Sequence, residues 1–247
     1  VKKENTQSEI IKEKAIELFY YEGFKKTTLR KIANLSGIDH SSLFYYYANK
    51  AEIAKHLILR YFTGILKFTY NINKELFEGK SRTFMNYSLL FFAIHFRGLQ
   101  EDKLFSNFYI DFYYQSKDVF NKMTDKVSMN LYKGYNEESF LLFYHDQPAE
   151  ETDKLKMLNY ALTSQVDVML AEHCAKGLID AYEASNYFAN IIYKLPKTLW
   201  QIEQREIELF YRNHWKMIEK IEFDIYSDFL IYEKNEFPEK ILNFRIK

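Results

Sequence analysis

The chain has 247 residues with 34 basic and 34 acidic side chains, so its formal net charge is zero, and 47% of it is hydrophobic. Seven glycines and three prolines are too few for a turn-rich β architecture, and the single cysteine, Cys174, excludes an intrachain disulfide or a metal-binding cysteine cluster. The most apolar run, residues 89–94, is far too short to cross a bilayer, no signal peptide is expected, and the composition points to an all-α chain in a reducing cytoplasm.

The first helix is expected over residues 8–22. Thr6 and Glu9 form a candidate capping box after an N-terminal arm, Ile11, Ala15, Leu18 and Phe19 share one face, and Gly23 ends the run. Thr27 or Thr28 then caps a short helix reaching about Leu35, which buries Leu29, Ile32 and Ala33. Gly37 supplies a sharp turn, because glycine tolerates positive φ. Asp39 is placed to cap a further helix that carries His40, Ser41, Ser42, Tyr45 and Tyr46 outward, with Leu43 and Tyr47 turned inward beside Ile38. Asn49 and Glu52 resemble a second capping box, which starts a helix at Lys50.

Two short helices joined by a tight turn suit DNA reading. The first turn of the second helix, with His40, Ser41 and Ser42, reaches base edges when the helix enters the major groove. Serine donates or accepts, histidine bonds a guanine or a phosphate, and Tyr45 and Tyr46 are long enough to pack on sugars and bond phosphates. Thr28 and Lys50 would hold the backbone on either side of the groove. Up to His56 there are ten Lys and Arg against seven acids, giving +3 there and −3 in the remainder. That excess is modest, so the helical pattern carries the inference more than the charge does.

At these residues the chain resembles the N-terminal domain of the TetR/AcrR family of bacterial transcriptional regulators. The likeness runs in order from about Ile11 to Leu57. It includes Ala15, Leu18 and Phe19, then Gly23 and Phe24, then Thr27, Thr28 and Leu29. Ile32 and Ala33, Ser36 to Ile38, Leu43, the aromatic run Phe44 to Tyr47, and Lys50 to Ile53 complete it. Two positions depart: Ser36 stands where the family usually has alanine, and Phe44 where it usually has a tyrosine that touches DNA backbone, a contact left to Tyr45 or Tyr46. The resemblance implies a three-helix DNA-binding domain over residues 1–49 and a helical domain over 50–247 for ligand binding and dimerisation. It also implies double-stranded operator DNA and a small-molecule effector as partners, a homodimer, and neither cofactor nor metal.

From Lys50 onward, Ile53, Leu57, Ile58, Tyr61, Ile65 and Phe68 recur at intervals of three and four, so one helix leads out of the first domain without a linker. After a break near residues 79–81, helices are expected over 84–96 and 104–114. Aromatic residues crowd this part, and two readings stay open. The rings either fill helix interfaces or line a pocket for an apolar or flat effector, cationic ones included, with Phe92, His95, Phe96, Phe108, Asp111 and Phe112 as its candidate contacts.

Further on, Leu155, Leu158, Leu162, Val166, Met169 and Leu170 make one apolar stripe, and Leu199, Ile202, Ile207, Phe210, His214, Ile218, Ile221 and Ile225 a second beyond Pro196. Each either completes the core of one chain or meets a second copy. Residues 187–193 are an alternative contribution to a dimer. Two groups look superficially chemical, His145 with Asp146 and Glu172 with His173 and Cys174. Adjacent residues on a helix diverge by about 100°, so neither converges on an ion and no enzyme is expected. The reading that follows is a ligand-responsive, dimeric transcriptional repressor. The alternative is a DNA-binding regulator that answers a protein partner or activates.

Overall fold

Caps and apolar spacing decide where the first helices begin. The structure, a computed structural model, describes residues 6–77, 83–123, 164–194, 203–221 and 225. Helix α1 (Gln7–Lys26) starts behind Thr6, whose hydroxyl accepts from the Glu9 amide at 3.4 Å while the Glu9 carboxylate accepts from the Thr6 amide at 2.6 Å. These two bonds satisfy donors that a helix start otherwise leaves open. Its buried face is Ile11, Ala15, Ile16, Leu18 and Phe19. Gly23 has φ 83°, a conformation that a side chain would strain, and there the helix kinks instead of ending. One more turn follows to Lys26 and buries Phe24.

Of the two threonines, Thr28 is the cap of α2 (Leu29–Leu35), its hydroxyl accepting from the Lys31 amide at 3.2 Å. Thr27 is fully buried and donates to the Gly23 carbonyl at 2.9 Å. Gly37 turns the chain with φ 69°. Helix α3 (His40–Leu43) is shorter than the sequence suggests. Beyond it the amides of Phe44, Tyr45 and Tyr46 reach back three residues, to the carbonyls of Ser41, Ser42 and Leu43. A run of four aromatic side chains resists helix because each loses side-chain freedom against the preceding turn. Asp39 occupies the N-cap position, but its side chain makes no cap bond; its backbone carbonyl accepts from the Ser42 amide at 3.0 Å.

Helix α4 (Lys50–Phe77) is capped by Asn49, whose side-chain oxygen accepts from the Glu52 amide at 3.0 Å. All six positions of its expected stripe are buried, and 28 residues make it on the order of 40 Å long. Helix α5 (Thr83–Glu101) has buried side chains without interruption from residue 87 to 99, so it is the central rod. A helix apolar around its whole circumference has to be surrounded. It touches α4, α6 (Lys103–Gln115), and two late helices, Ala181–Lys194 and Gln204–Ile218.

Helix α1 packs most extensively on α6. Phe19 meets Phe108 at 5.6 Å between ring centroids, and Phe24 meets Phe108 at 6.3 Å and Phe112 at 5.2 Å. Polar contacts border these rings, with Tyr20 donating to Asp102 at 2.7 Å and Lys25 paired with Asp111 at 2.7 Å.

In the late region, Leu155, Leu158, Leu162, Pro196, Leu199 and Ile202 lie outside the described residues. Residues 164–175 are helical, but the buried positions are Val168, Leu170, Ala171 and Cys174, while Met169 is exposed and Val166 half-buried. The second stripe faces inward: Ile207, Phe210, Ile218, Ile221 and Ile225 are buried, and the neighbouring Tyr211 donates to the Leu89 carbonyl of α5 at 3.1 Å. These residues therefore complete the core of one chain.

Replacing Phe108, fully buried between α1 and the remaining helices, by alanine is expected to cost about 3–5 kcal/mol in urea unfolding. Tyr45→Ala, at a residue 90% exposed, should shift stability by less than about 0.5 kcal/mol.

Candidate nucleic-acid interface and interior polar network

The short α3 is held from below and left open above. Leu43 is fully buried, and Tyr47 is buried with its hydroxyl 3.1 Å from that of Ser8. Gln7 donates to the Ser36 carbonyl at 2.9 Å, so the start of α1 braces the end of α2. On the opposite side His40, Ser41, Phe44, Tyr45 and Tyr46 are exposed, and Ser42 is half-buried. Five of the six sequence-predicted residues other than Lys50, namely His40, Ser41, Ser42, Tyr45 and Tyr46, thus share one short segment. Thr28 is exposed at the head of α2; its hydroxyl oxygen accepts the cap bond, which leaves its proton to donate outward.

Lys50 is more committed than sequence reasoning implies. Its ammonium donates to the carbonyls of Phe24 at 2.6 Å and Thr27 at 3.0 Å, and it sits 4.1 Å from the Phe24 ring centroid. Burial lowers its pKa, and Asp111 opposes that shift. The group closes the end of α1, with one of its three N–H donors remaining for an outside acceptor. A second feature is the edge-on contact between the rings of His40 and Phe44, 5.2 Å apart at 80°, which their i, i+4 spacing on a helix allows.

Residues 11–64 match the model of bacterial regulatory proteins of the tetR family. The N-terminal domain is thus of the tetR DNA-binding type. The described residues are all-α in fold, and α1 to α3 and the start of α4 are the matched DNA-binding unit. No curated protein sequence matches the chain. Among solved structures it is similar to the fatty acid degradation regulator FadR from Bacillus halodurans, at 14% identity and a TM-score of 0.41, over 80% of this chain and 98% of that one.

The six candidate effector contacts of the chain do not converge. Phe108 and Phe112 are fully buried and stack on each other at 5.9 Å, on the side of α6 that meets α1, and Asp111 there pairs with Lys25. Phe92 and Phe96 both pack against Phe188, at 4.9 and 5.5 Å. His95 lies in a buried polar network: its Nε2 is 2.8 Å from Asp167, and Tyr109 donates to the other oxygen of the same carboxylate. Tyr61 is 3.1 Å from His95 Nδ1. Burial, and after it the nearby Asp167 carboxylate, push the pKa values of Tyr61 and Tyr109 well up, so both phenols remain donors. Asp167, not Asp111, is the carboxylate on His95. No sequence signal could have joined them, since they stand 72 residues apart.

The Glu172, His173 and Cys174 group is dispersed. Glu172 accepts from Lys176 at 2.6 Å and from Tyr114 at 3.0 Å, His173 approaches the Met169 carbonyl at 2.7 Å, and Cys174 is buried with its thiol pushed up to about 12. His145 and Asp146 lie outside the described residues. No group of three metal-ligating side chains occurs among the described residues.

Beside the Tyr47 brace, His56 is held at a pKa of about 4, first by burial and then by Lys12, Lys55 and Arg60. Its folded pKa lies below the ordinary value near 6.5, so the unfolded chain binds the proton first. Stability is highest above about pH 6.5 and falls as pH drops toward 4, by on the order of 1–2 kcal/mol once solvent screening is discounted. Thermal melts of wild type and His56→Gln across that window should differ in slope by this amount, with the glutamine variant less acid-sensitive.

Proposed function

We propose that the chain is a ligand-responsive, homodimeric transcriptional repressor that leaves its operator when an effector binds. The observation that carries this reading is the outward segment His40 to Tyr46, which has hydroxyl, imidazole and phenol groups, no acid, and Leu43 and Tyr47 anchoring it from the buried side. His40, Ser41 and Ser42 face base edges; Tyr45 and Tyr46 pack on the sugar-phosphate backbone. Thr28 and the remaining N–H of Lys50 meet phosphates. One segment this short buries too little for a specific site, so two copies read half-sites about one helical turn apart, or a multiple of it.

The functional boundary is placed between Asn49 and Lys50. Effector recognition is assigned to the aromatic interior of α5 and α6, with Phe92, His95 and Phe96 beside the Asp167 network. Phe108, Asp111 and Phe112 are assigned to the joint with α1, which carries the response along with α4. For the second copy, the face formed by Ala181–Lys194 and Gln204–Ile218 is the candidate: it exposes Tyr187 and Leu209 and contains an open groove of about 560 Å³.

Fluorescence anisotropy on a duplex taken from beside the chain's own gene tests the reading. Binding should weaken steeply as salt rises from 50 to 200 mM, and Ser41→Ala and Tyr45→Ala should each weaken it by about tenfold while folding normally. Salt-insensitive binding, with both variants equal to wild type, would exclude a DNA-reading role.

A further inference from the structure

The exposed ring of Phe44 has no place in the core. It is 49% exposed, and it lies edge-on to His40, with centroids 5.2 Å apart and planes at 80°. Its side chain carries no hydrogen-bonding group, so it cannot bond a phosphate or a base edge. His40 is the first residue of α3 and Phe44 its C-cap, with φ −68° and ψ −16°, so the four-residue spacing of a helix brings the two side chains onto one side. An exposed histidine at a helix start otherwise samples several rotamers, and ordering it on a partner costs affinity.

We propose that Phe44 is a positioning residue that holds the His40 imidazole in its base-reading orientation, so that Phe44 sets sequence preference through His40 and not through a contact of its own. This rests on the DNA-reading role proposed above. The contact is an edge-to-face ring pair, a geometry favoured by the negative face of one ring meeting the positive edge of the other. Because Leu43 and Tyr47 anchor the segment independently, removing the Phe44 ring leaves the backbone of α3 in place.

Selection from a random duplex pool, read position by position, tests this with wild type, His40→Ala, Phe44→Ala, Phe44→Tyr and the double His40→Ala/Phe44→Ala variant. Wild type should enrich a two-fold symmetric site, and His40→Ala should flatten preference at one position in each half. Phe44→Ala should flatten that same position by about three- to tenfold, leave the other positions intact, and add nothing on top of His40→Ala. Phe44→Tyr, which keeps the ring, should retain the preference.

The inference is overturned if Phe44→Ala keeps the His40 preference, lowers affinity evenly on all sequences, or flattens a different position, the last meaning that the ring itself touches a base. If wild type enriches no sequence although circular dichroism shows it folded, the DNA-reading role falls and this inference with it. That result is distinct from failure of Phe44→Ala alone.

Discussion

The packing of Phe19 and Phe24 on Phe108 and Phe112 is the contact on which the remaining architecture rests. It presses the helix that braces α2 and α3 against a helix of the later region, so the two parts share one apolar interior. Buried aromatic pairs of this kind contribute about 0.5–1.5 kcal/mol beyond the area they remove from water. The flanking pairs, Tyr20 with Asp102 and Lys25 with Asp111, fix the register that the rings alone would leave free to slide. Lys50 ties α4 to the same corner through the carbonyls that end α1.

The interior network around Asp167 presents the opposite balance. Removing a carboxylate from water is costly, and breaking one partner of a buried pair costs about 3–5 kcal/mol, so such a group persists where both of its oxygens are hydrogen-bonded. Here His95 and Tyr109 take one oxygen each, and Tyr61 completes the histidine. The network joins α4, α5, α6 and the helix over residues 164–175, and of these α4 and α6 both pack on α1.

Much of the N-terminal part was legible from residue type alone. The Thr6 box, the Thr28 cap, the left-handed Gly37, the Asn49 cap and the apolar stripe of α4 each follow from a local rule, and each appears where that rule places it. Local rules also marked which residues of the segment His40 to Tyr46 face outward. They failed where several local preferences compete or where partners are distant. Four successive aromatics shorten α3, the amino group of Lys50 turns back onto carbonyls 23 and 26 residues earlier, and Asp111 pairs with a lysine of α1 that lies far from it in the chain. Spacing alone also misplaced Met169, because the helix over 164–175 is rotated to bury Val168 and Leu170.

Cys174 is the one sulfhydryl in the whole chain, and it is both enclosed and kept protonated at neutral pH. Alkylating and maleimide reagents attack the thiolate, so the native protein is nearly silent toward them. A cysteine introduced at any open surface position therefore becomes a unique chemical address, and a dye or spin label can be attached there without first stripping the sequence of competing thiols.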